Sequence, residues 1–469
     1  MSQEQNITFK SCGSLDHLNC ALHGHNWEIP GFELFTLWSF QPKASRVEYI
    51  LLRRLLITPL IAQFEIEQAD IGESTNSPQA SQQLSRWLTD CTLNHSQCVS
   101  DDGNMWKPSR LLDLGILHEP GPIHLIISEE HFGKTSDREY TTLSHCWGTL
   151  DILKLKKDNI EALRKGFEIN DLPKSFQDAI KVARYLQIRY MWIDSICIIQ
   201  DDVDDWRREA SKMADVYQHS FCTIAAAGAP DGSYGLFFRR DPGAIKTSVV
   251  YPYGANHSGK PYMVIGLEDA LIEFIKQPLF RRAWVIQERL LSLRTIHFGN
   301  QQLFWECREC IACETIPFGL PLSLCPSPEI SVASTALPFL STFRQRDNFW
   351  NNIVDWYSQC LLTFPDDKII ALSGIAAHTE RSAPETYGRY LAGLWSNKLP
   401  YDLLWEALPR RLMDLDFPKG TEKVHRPPSY RAPSWSWASV DAHIRLPAAY
   451  RDPTIYHQTL AVIESTSIT

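Results

Sequence analysis

The sequence has no long run of lysine and arginine. Adjacent basic pairs, among them Arg53-Arg54, Arg239-Arg240 and Arg410-Arg411, are scattered, and the formal net charge is −9. Neutralising a phosphate backbone takes clustered cations, so no nucleic-acid partner is expected. Hydrophobic runs of bilayer length are also missing. The most apolar early stretch, Ile50 to Ile61, is broken by Arg53 and Arg54 and is too short to span. The polar start, Met1 to Lys10, carries no signal-peptide pattern. A soluble, cytoplasmic chain with no membrane span is therefore expected. There is no internal repeat and no low-complexity tract. No G-x-x-x-x-G-K-S/T occurs, and no G-x-G-x-x-G follows a strand, which disfavours P-loop phosphate transfer and Rossmann hydride transfer. The acidic run Asp201, Asp202, Asp204 and Asp205 lacks the glycine and glutamate of a calcium loop. Acids at a helix start are favoured by the dipole alone.

What is present points to packed domains. Fifteen tryptophans and 44% apolar residues supply ample core material, and 469 residues suggest two or three packed units. The twelve cysteines lie in apolar surroundings, as buried thiols of a reducing compartment do. Two clusters offer three zinc ligands each: Cys91, His95 and Cys98 as C-x3-H-x2-C, and Cys307, Cys310 and Cys313 as C-x2-C-x2-C. A closed zinc site needs four ligands, and neither cluster has a second half at standard spacing. Buried, unligated thiols and no metal are the expectation.

Periodicity then places elements. Residues 1–84 read as an irregular N-terminal region, with Gly72 to Ser85 as a polar linker. Residues 85–137 form a lead-in segment in which Ser85 to Asn94 is a short helix with Trp87 and Cys91 on one face. Between 138 and 292 strand and helix signals alternate. Strands are expected at Tyr140 to Ser144, Tyr190 to Ile193 and Phe221 to Ala227. A helix opens at Pro173 with Phe176, Ala179, Ile180, Ala183 and Leu186 on its buried face. A second is capped by Asp204 or Asp205 and has Trp206, Ala210, Met213 and Tyr217 as its stripe. A third covers Phe280 to Leu291. This order argues for a parallel sheet. Residues 293–340 hold a hairpin about Gly299-Asn300 and a Pro- and Ser-rich loop. Residues 341–469 read as mainly helical through Trp395, with Ser434 to Val440 alternating as a strand would.

Several stretches resemble the heterokaryon-incompatibility (HET) family of filamentous fungi. They are YTTLSHCWG (Tyr140 to Gly148), YMWIDSICIIQDDVDDWRREASKMADVY (Tyr190 to Tyr217) and RRAWVIQERLLSLRTIHFG (Arg281 to Gly299). WLTDCTLNHSQC before them, and DDKIIALSGIAAH and APSWSWASVD after them, also fit. Three long motifs in order are far more specific than one short pattern. The resemblance implies an α/β core akin to the Toll/interleukin-1-receptor fold, a flavodoxin-like parallel sheet, followed by a mainly helical C-terminal unit. It implies a role in non-self recognition and programmed cell death, through self-association or a protein partner. Some relatives of the wider fold cleave the nicotinamide–ribose bond of NAD, which makes NAD a candidate substrate; no cofactor is expected. The alternatives are a non-catalytic signalling or assembly module with the same fold, and an accessory regulatory protein.

Glu288 is the catalytic candidate. It follows Trp284 by four residues, a spacing similar to that in the helix holding the essential glutamate of catalytic relatives. Breaking an N-glycosidic bond builds positive charge on ribose, which a carboxylate stabilises. The competing reading pairs Glu288 structurally with Arg281, Arg282 or a backbone amide. Glu209, three residues after Trp206, is the runner-up and fits better as a helix-face charge beside Lys212. Asp194, Ser195 and Ser144 stand at the carboxyl ends of strands, where open α/β sheets bind ligands. Trp147 and Trp284 complete the expected substrate pocket. His145 and Cys146 are adjacent on an extended chain and point apart, so a thiol nucleophile is disfavoured. Gly228, Gly232 and Gly235 read as a flexible loop rather than as a pyrophosphate cradle.

Overall fold

The β-branched and aromatic runs of the chain become strands in a computed structural model. The structure describes residues 33–43, 46–59, 70–99, 106–115, 121–132, 139–245, 248–250, 262–265, 273–320, 349–408 and 424–447. Two units separate, one of Met1–Glu65 with Ser248–Ile265, the other of the remaining chain.

The smaller unit is a four-stranded antiparallel sheet, Glu33–Lys43, Arg46–Pro59, Tyr262–Ile265 and Ser248–Val250 in spatial order. Over residues 33–43 and 46–59 it corrects the expectation of an irregular N-terminal region; residues 1–32 lie outside the described residues. Val47, Tyr49, Ile50 and their neighbours favour extended backbone, and two charged residues within a strand do not break it.

The larger unit is built on one eight-stranded sheet. Its strands are β1 Arg110–Asp113, β2 His124–Ile127, β3 Tyr140–Ser144, β4 Tyr190–Trp192, β5 Cys222–Ala225, β6 Arg294–Phe298, β7 Leu303–Cys307 and β8 Ile311–Cys313. Their spatial order is β8-β7-β6-β5-β3-β4-β1-β2. The four central strands β6, β5, β3 and β4 run parallel. Antiparallel pairs flank them: β7 and β8 beside β6, β1 and β2 beside β4. Taken in chain order, the parallel strands lie 2-1-3-4, the opening of the flavodoxin-like arrangement. Every residue of β3, β4, β5 and β6 is buried, as central parallel strands covered on both faces require. The sheet thus draws β1 and β2 from the expected lead-in and β6 to β8 from the expected hairpin segment. The hairpin loop spans four residues, because Phe298 pairs with Leu303. Of the loop expected at 310–340, the start is β8, and 321–348 lies outside the described residues.

Helix α1, Pro78–Asn94, starts earlier than the linker reading allowed. Ser77 caps it by accepting from the Ala80 amide, and Pro78 suits the first turn. Ala80, Leu84, Trp87 and Cys91 form its buried face, with Trp87 stacked on Trp305 of β7 at 6.3 Å. Helix α2, Lys174–Tyr185, buries Phe176, Ala179, Ile180 and Ala183 as expected. Helix α3, Val203–Ala210, is capped by Asp202 rather than Asp204 or Asp205. The carboxylate of Asp205 instead turns inward to Arg110, with Nη2 at 2.6 Å. Helix α4 is Met213–Gln218, and α5 is Ala283–Leu291, preceded by a 3-10 turn over Pro278–Arg281.

The C-terminal region packs α6, Phe349–Gln359, and α7, Ile370–Ser382, beside the core. Gln287 of α5 accepts from the Gly374 amide of α7 at 3.0 Å, and a Cβ at Gly374 would meet Ala214 at 2.5 Å. Two expectations fail here. The helical pattern through Trp395 stops at Tyr387: Gly388 and Gly393 take φ of 69° and 104°, and Tyr390–Leu391 pairs with Leu394–Trp395 instead. The supposed strand Ser434 to Val440 is a turn and a 3-10 helix, Trp437–Ser439, because Ser436 folds back to cap the Ala438 amide at 3.0 Å.

The glycine loop after β5 has a packing role. The Gly228 amide donates to Phe298 at 2.8 Å, and a Cβ there would sit 2.6 Å from the Asn300 nitrogen and 2.9 Å from the Gly299 carbonyl carbon. Both obstacles are backbone and cannot rotate away. Gly228→Ala is expected to destabilise the fold by roughly 1–3 kcal/mol, read as a lower urea midpoint at unchanged slope.

Candidate functional site

In a 2-1-3-4 sheet the strand order reverses between β3 and β5, and ligands enter at the carboxyl ends beside that point. Ser144 ends β3 there. Its hydroxyl donates to the Glu288 carboxylate on α5, and the Tyr217 phenol of α4 reaches the same carboxylate. Glu288 is 3% exposed. Burial pushes its carboxyl up to about 7; the Arg282 charge and the bonds from Ser144 and Tyr217 pull down, and Asp194 adds to the rise. Burial also holds the Tyr217 phenol well above its usual range, so it stays a donor when Glu288 ionises.

Asp194 opens the short helix Asp194–Cys197 directly after β4. One oxygen accepts the Trp147 indole N–H at 2.8 Å, the other the Ser195 amide at 2.7 Å. Trp147, Asp194 and Arg282 are half-buried, and the charges of Asp194 and Arg282 act on Glu288. The Ser195 hydroxyl is buried and makes no hydrogen bond among the described residues. His145 is buried edge-on to Phe176, with Nε2 3.8 Å from Asp194. Burial lowers it to about 4, so it is neutral at pH 7. Burial pushes the Cys146 thiol up to about 11, which removes the thiolate a cysteine nucleophile needs.

The structure therefore pairs Ser144 with Glu288 and Trp147 with Asp194, and the Asp194 charge acts on Glu288. Trp284 goes elsewhere: its indole N–H donates to Asp367 at 3.2 Å, in the 3-10 turn Pro365–Lys368. Glu209 is also engaged elsewhere, accepting from Ser109 at 2.9 Å and Lys212 at 3.3 Å, with Arg208 at 3.6 Å. Two participants escaped sequence reasoning. Tyr217 read as part of an apolar stripe, and Arg282 as a structural partner for Glu288. Only the stacking of α4 and α5 over the sheet end reveals that both face the same carboxylate. A cavity of about 200 Å³ lined by Ala80, Lys181, Tyr185, Phe237 and Leu303 contains none of these groups.

A second constellation lies at the far end of α1. Cys91, His95, Cys98 and Cys307 place their ligand atoms within 4.8 Å of one another. The half that C-x3-H-x2-C lacked is Cys307, drawn from the other cysteine cluster. Cys313 is not part of it; its sulfur lies 3.1 Å from the Thr315 hydroxyl.

Residues 140–288 match the family model described as heterokaryon incompatibility protein (HET). Neither the curated proteins nor the solved structures contain a match. No described helix is long and apolar enough to cross a membrane. The matched segment begins at the first residue of β3 and ends at the buried glutamate itself, and the chain accordingly carries a heterokaryon-incompatibility domain over residues 140–288.

Proposed function

We propose that this HET domain acts in fungal non-self recognition and programmed cell death by cleaving the nicotinamide–ribose bond of NAD, with Glu288 carrying the chemistry. One observation supports the reading above others. A carboxylate held by two hydroxyl donors is buried at the carboxyl end of β3, beside the point where the strand order reverses. Cleavage breaks the C1′–N bond, and its electron pair leaves on the nicotinamide nitrogen, which becomes neutral. Positive charge then develops on C1′ and the ring oxygen. Ionised Glu288 stabilises that charge, and water adds to C1′ and gives up a proton. Ser144 and Tyr217 orient the carboxylate, Trp147 offers a face for the nicotinamide ring, and Asp194 accepts from ribose hydroxyls.

With its carboxyl near 7, Glu288 is ionised only above that pH, so turnover is expected to rise through pH 7 and level off beyond it. The test is nicotinamide release from NAD by the purified full chain at several protein concentrations. Glu288→Gln is expected to lower it by roughly 10²–10³-fold, and Glu209→Ala to leave it unchanged. The competing reading is a non-catalytic assembly module, favoured by the near-complete burial of Glu288 at 3% exposure. No release at any concentration, with cell death on expression retained in both wild type and Glu288→Gln, decides for that module.

A further inference from the structure

We propose that Cys91, His95, Cys98 and Cys307 bind one structural zinc ion that clips helix α1 to strand β7. The reading does not depend on NAD cleavage. Three sulfurs and one imidazole nitrogen within 4.8 Å of one another leave room for a single ion. Tetrahedral bonds of ~2.3 Å to sulfur and ~2.0 Å to nitrogen give ligand–ligand edges of roughly 3.5–3.8 Å, so only a small contraction is needed. One edge is already short, with His95 Nδ1 3.3 Å from Cys307 Sγ.

Local structure presents the ligands. Cys91 lies in the last turn of α1, and the His95 amide donates to its carbonyl at 3.3 Å. The Cys98 amide then donates to His95 at 3.1 Å, which winds the 3-10 turn Ser96–Cys98. Cys307 ends β7, 212 residues along the chain from His95. Cys91 and Cys98 are fully buried and Cys307 is 3% exposed, surroundings that suit a closed structural site.

The surroundings fit a metal centre as well as the ligands do. The second ring nitrogen of His95 lies 3.8 Å from the Asp90 carboxylate, too long for a hydrogen bond but on the side where an outer carboxylate partner of a metal-bound imidazole would stand. Arg294 faces Cys307 across the β6–β7 pair. Its Nε donates to Cys91 Sγ at 3.3 Å and Nη2 to the Cys98 carbonyl at 2.7 Å. A divalent ion with three thiolates and a neutral histidine carries a net charge of −1, and the buried guanidinium balances it. Sulfur-rich tetrahedral sets select zinc over oxygen-seeking cations. The ligands lie outside residues 140–288 on both sides, so the ion would fasten the flanks of the HET domain to each other.

The experiment measures metal content of the full chain purified without chelator. One zinc per chain is expected. Cys307→Ser and Cys98→Ser lose it, while Cys313→Ser, a buried thiol outside the set, keeps it. Chelation is expected to lower Tm by roughly 10 °C or more, with recovery on adding zinc. Should the serine variants not fold, the wild-type chain exchanged into cobalt serves instead. Thiolate-to-cobalt charge transfer and strong tetrahedral visible bands support the site. Absence of stoichiometric metal, octahedral cobalt spectra, or zinc retained by Cys307→Ser would overturn it.

Discussion

Glu288→Gln is expected to make the chain more stable at pH 8. In the fold, burial lifts the Glu288 carboxyl from 4.5 to about 7. The folded state therefore holds this proton more tightly than the unfolded chain does. That contribution to stability is fully present below pH 4.5 and is lost as pH rises to about 7. At ~1.4 kcal/mol per unit the loss amounts to about 3 kcal/mol. Glutamine keeps the hydrogen-bonding shape and does not titrate. The stability difference between Glu288→Gln and wild type should thus grow by about 3 kcal/mol from pH 4.5 to pH 8, followed by urea unfolding. Glu273 and Asp402, both also lifted to about 7 by burial, titrate in both proteins and cancel in the difference. His145 works in the opposite direction, since its lowered value contributes stability above its usual 6.5 that is lost as pH falls toward 4. A difference that stays flat with pH would show that Glu288 ionises at its ordinary value and is solvated.

Breaking the Arg240–Glu314 pair is expected to cost about 3–5 kcal/mol. The two side chains are bidentate, with Nη2 to Oε1 at 2.8 Å, and their exposures are 0% and 3%. Arg240 also donates to the Gly72 carbonyl at 2.8 Å and the Gln301 carbonyl at 3.1 Å, while Glu314 accepts the Leu303 amide at 2.7 Å. One ion pair therefore ties the segment before α1 to the β6–β7 hairpin and to the turn after β8. Glu314→Leu leaves a buried guanidinium without its counter-charge, and Arg240→Met leaves a buried carboxylate. The double variant Arg240→Met/Glu314→Leu removes both charges and should unfold at higher urea than either single variant. Equal additive losses would mean that the pair contributes through packing alone.

Much of the parallel core was legible beforehand because its signals are local. The buried faces of α2 and the strands β3, β4 and β5 follow from periodicity and β-branched composition, which neighbouring residues decide among themselves. The caps were less legible. Three aspartates stand near the start of α3; Asp202 accepts from the Asp204 and Asp205 amides, while the Asp205 carboxylate turns to Arg110. Ser434 to Val440 misled for a related reason: alternation suits a strand, but Ser436 satisfies the local backbone more cheaply from its own side chain.

The sequence by itself determined the parallel α/β core, the HET motifs and the placing of Ser144 and Asp194 at strand ends. It determined them because strand and helix periods, and motif order, are written along the chain. Tertiary structure alone decided that Tyr217 joins Ser144 on the Glu288 carboxylate, that Trp284 turns to Asp367, and that Cys307 completes the set begun by Cys91, His95 and Cys98. Each of these meetings joins residues far apart in sequence, and their spacing carries no information until the sheet order brings the elements side by side.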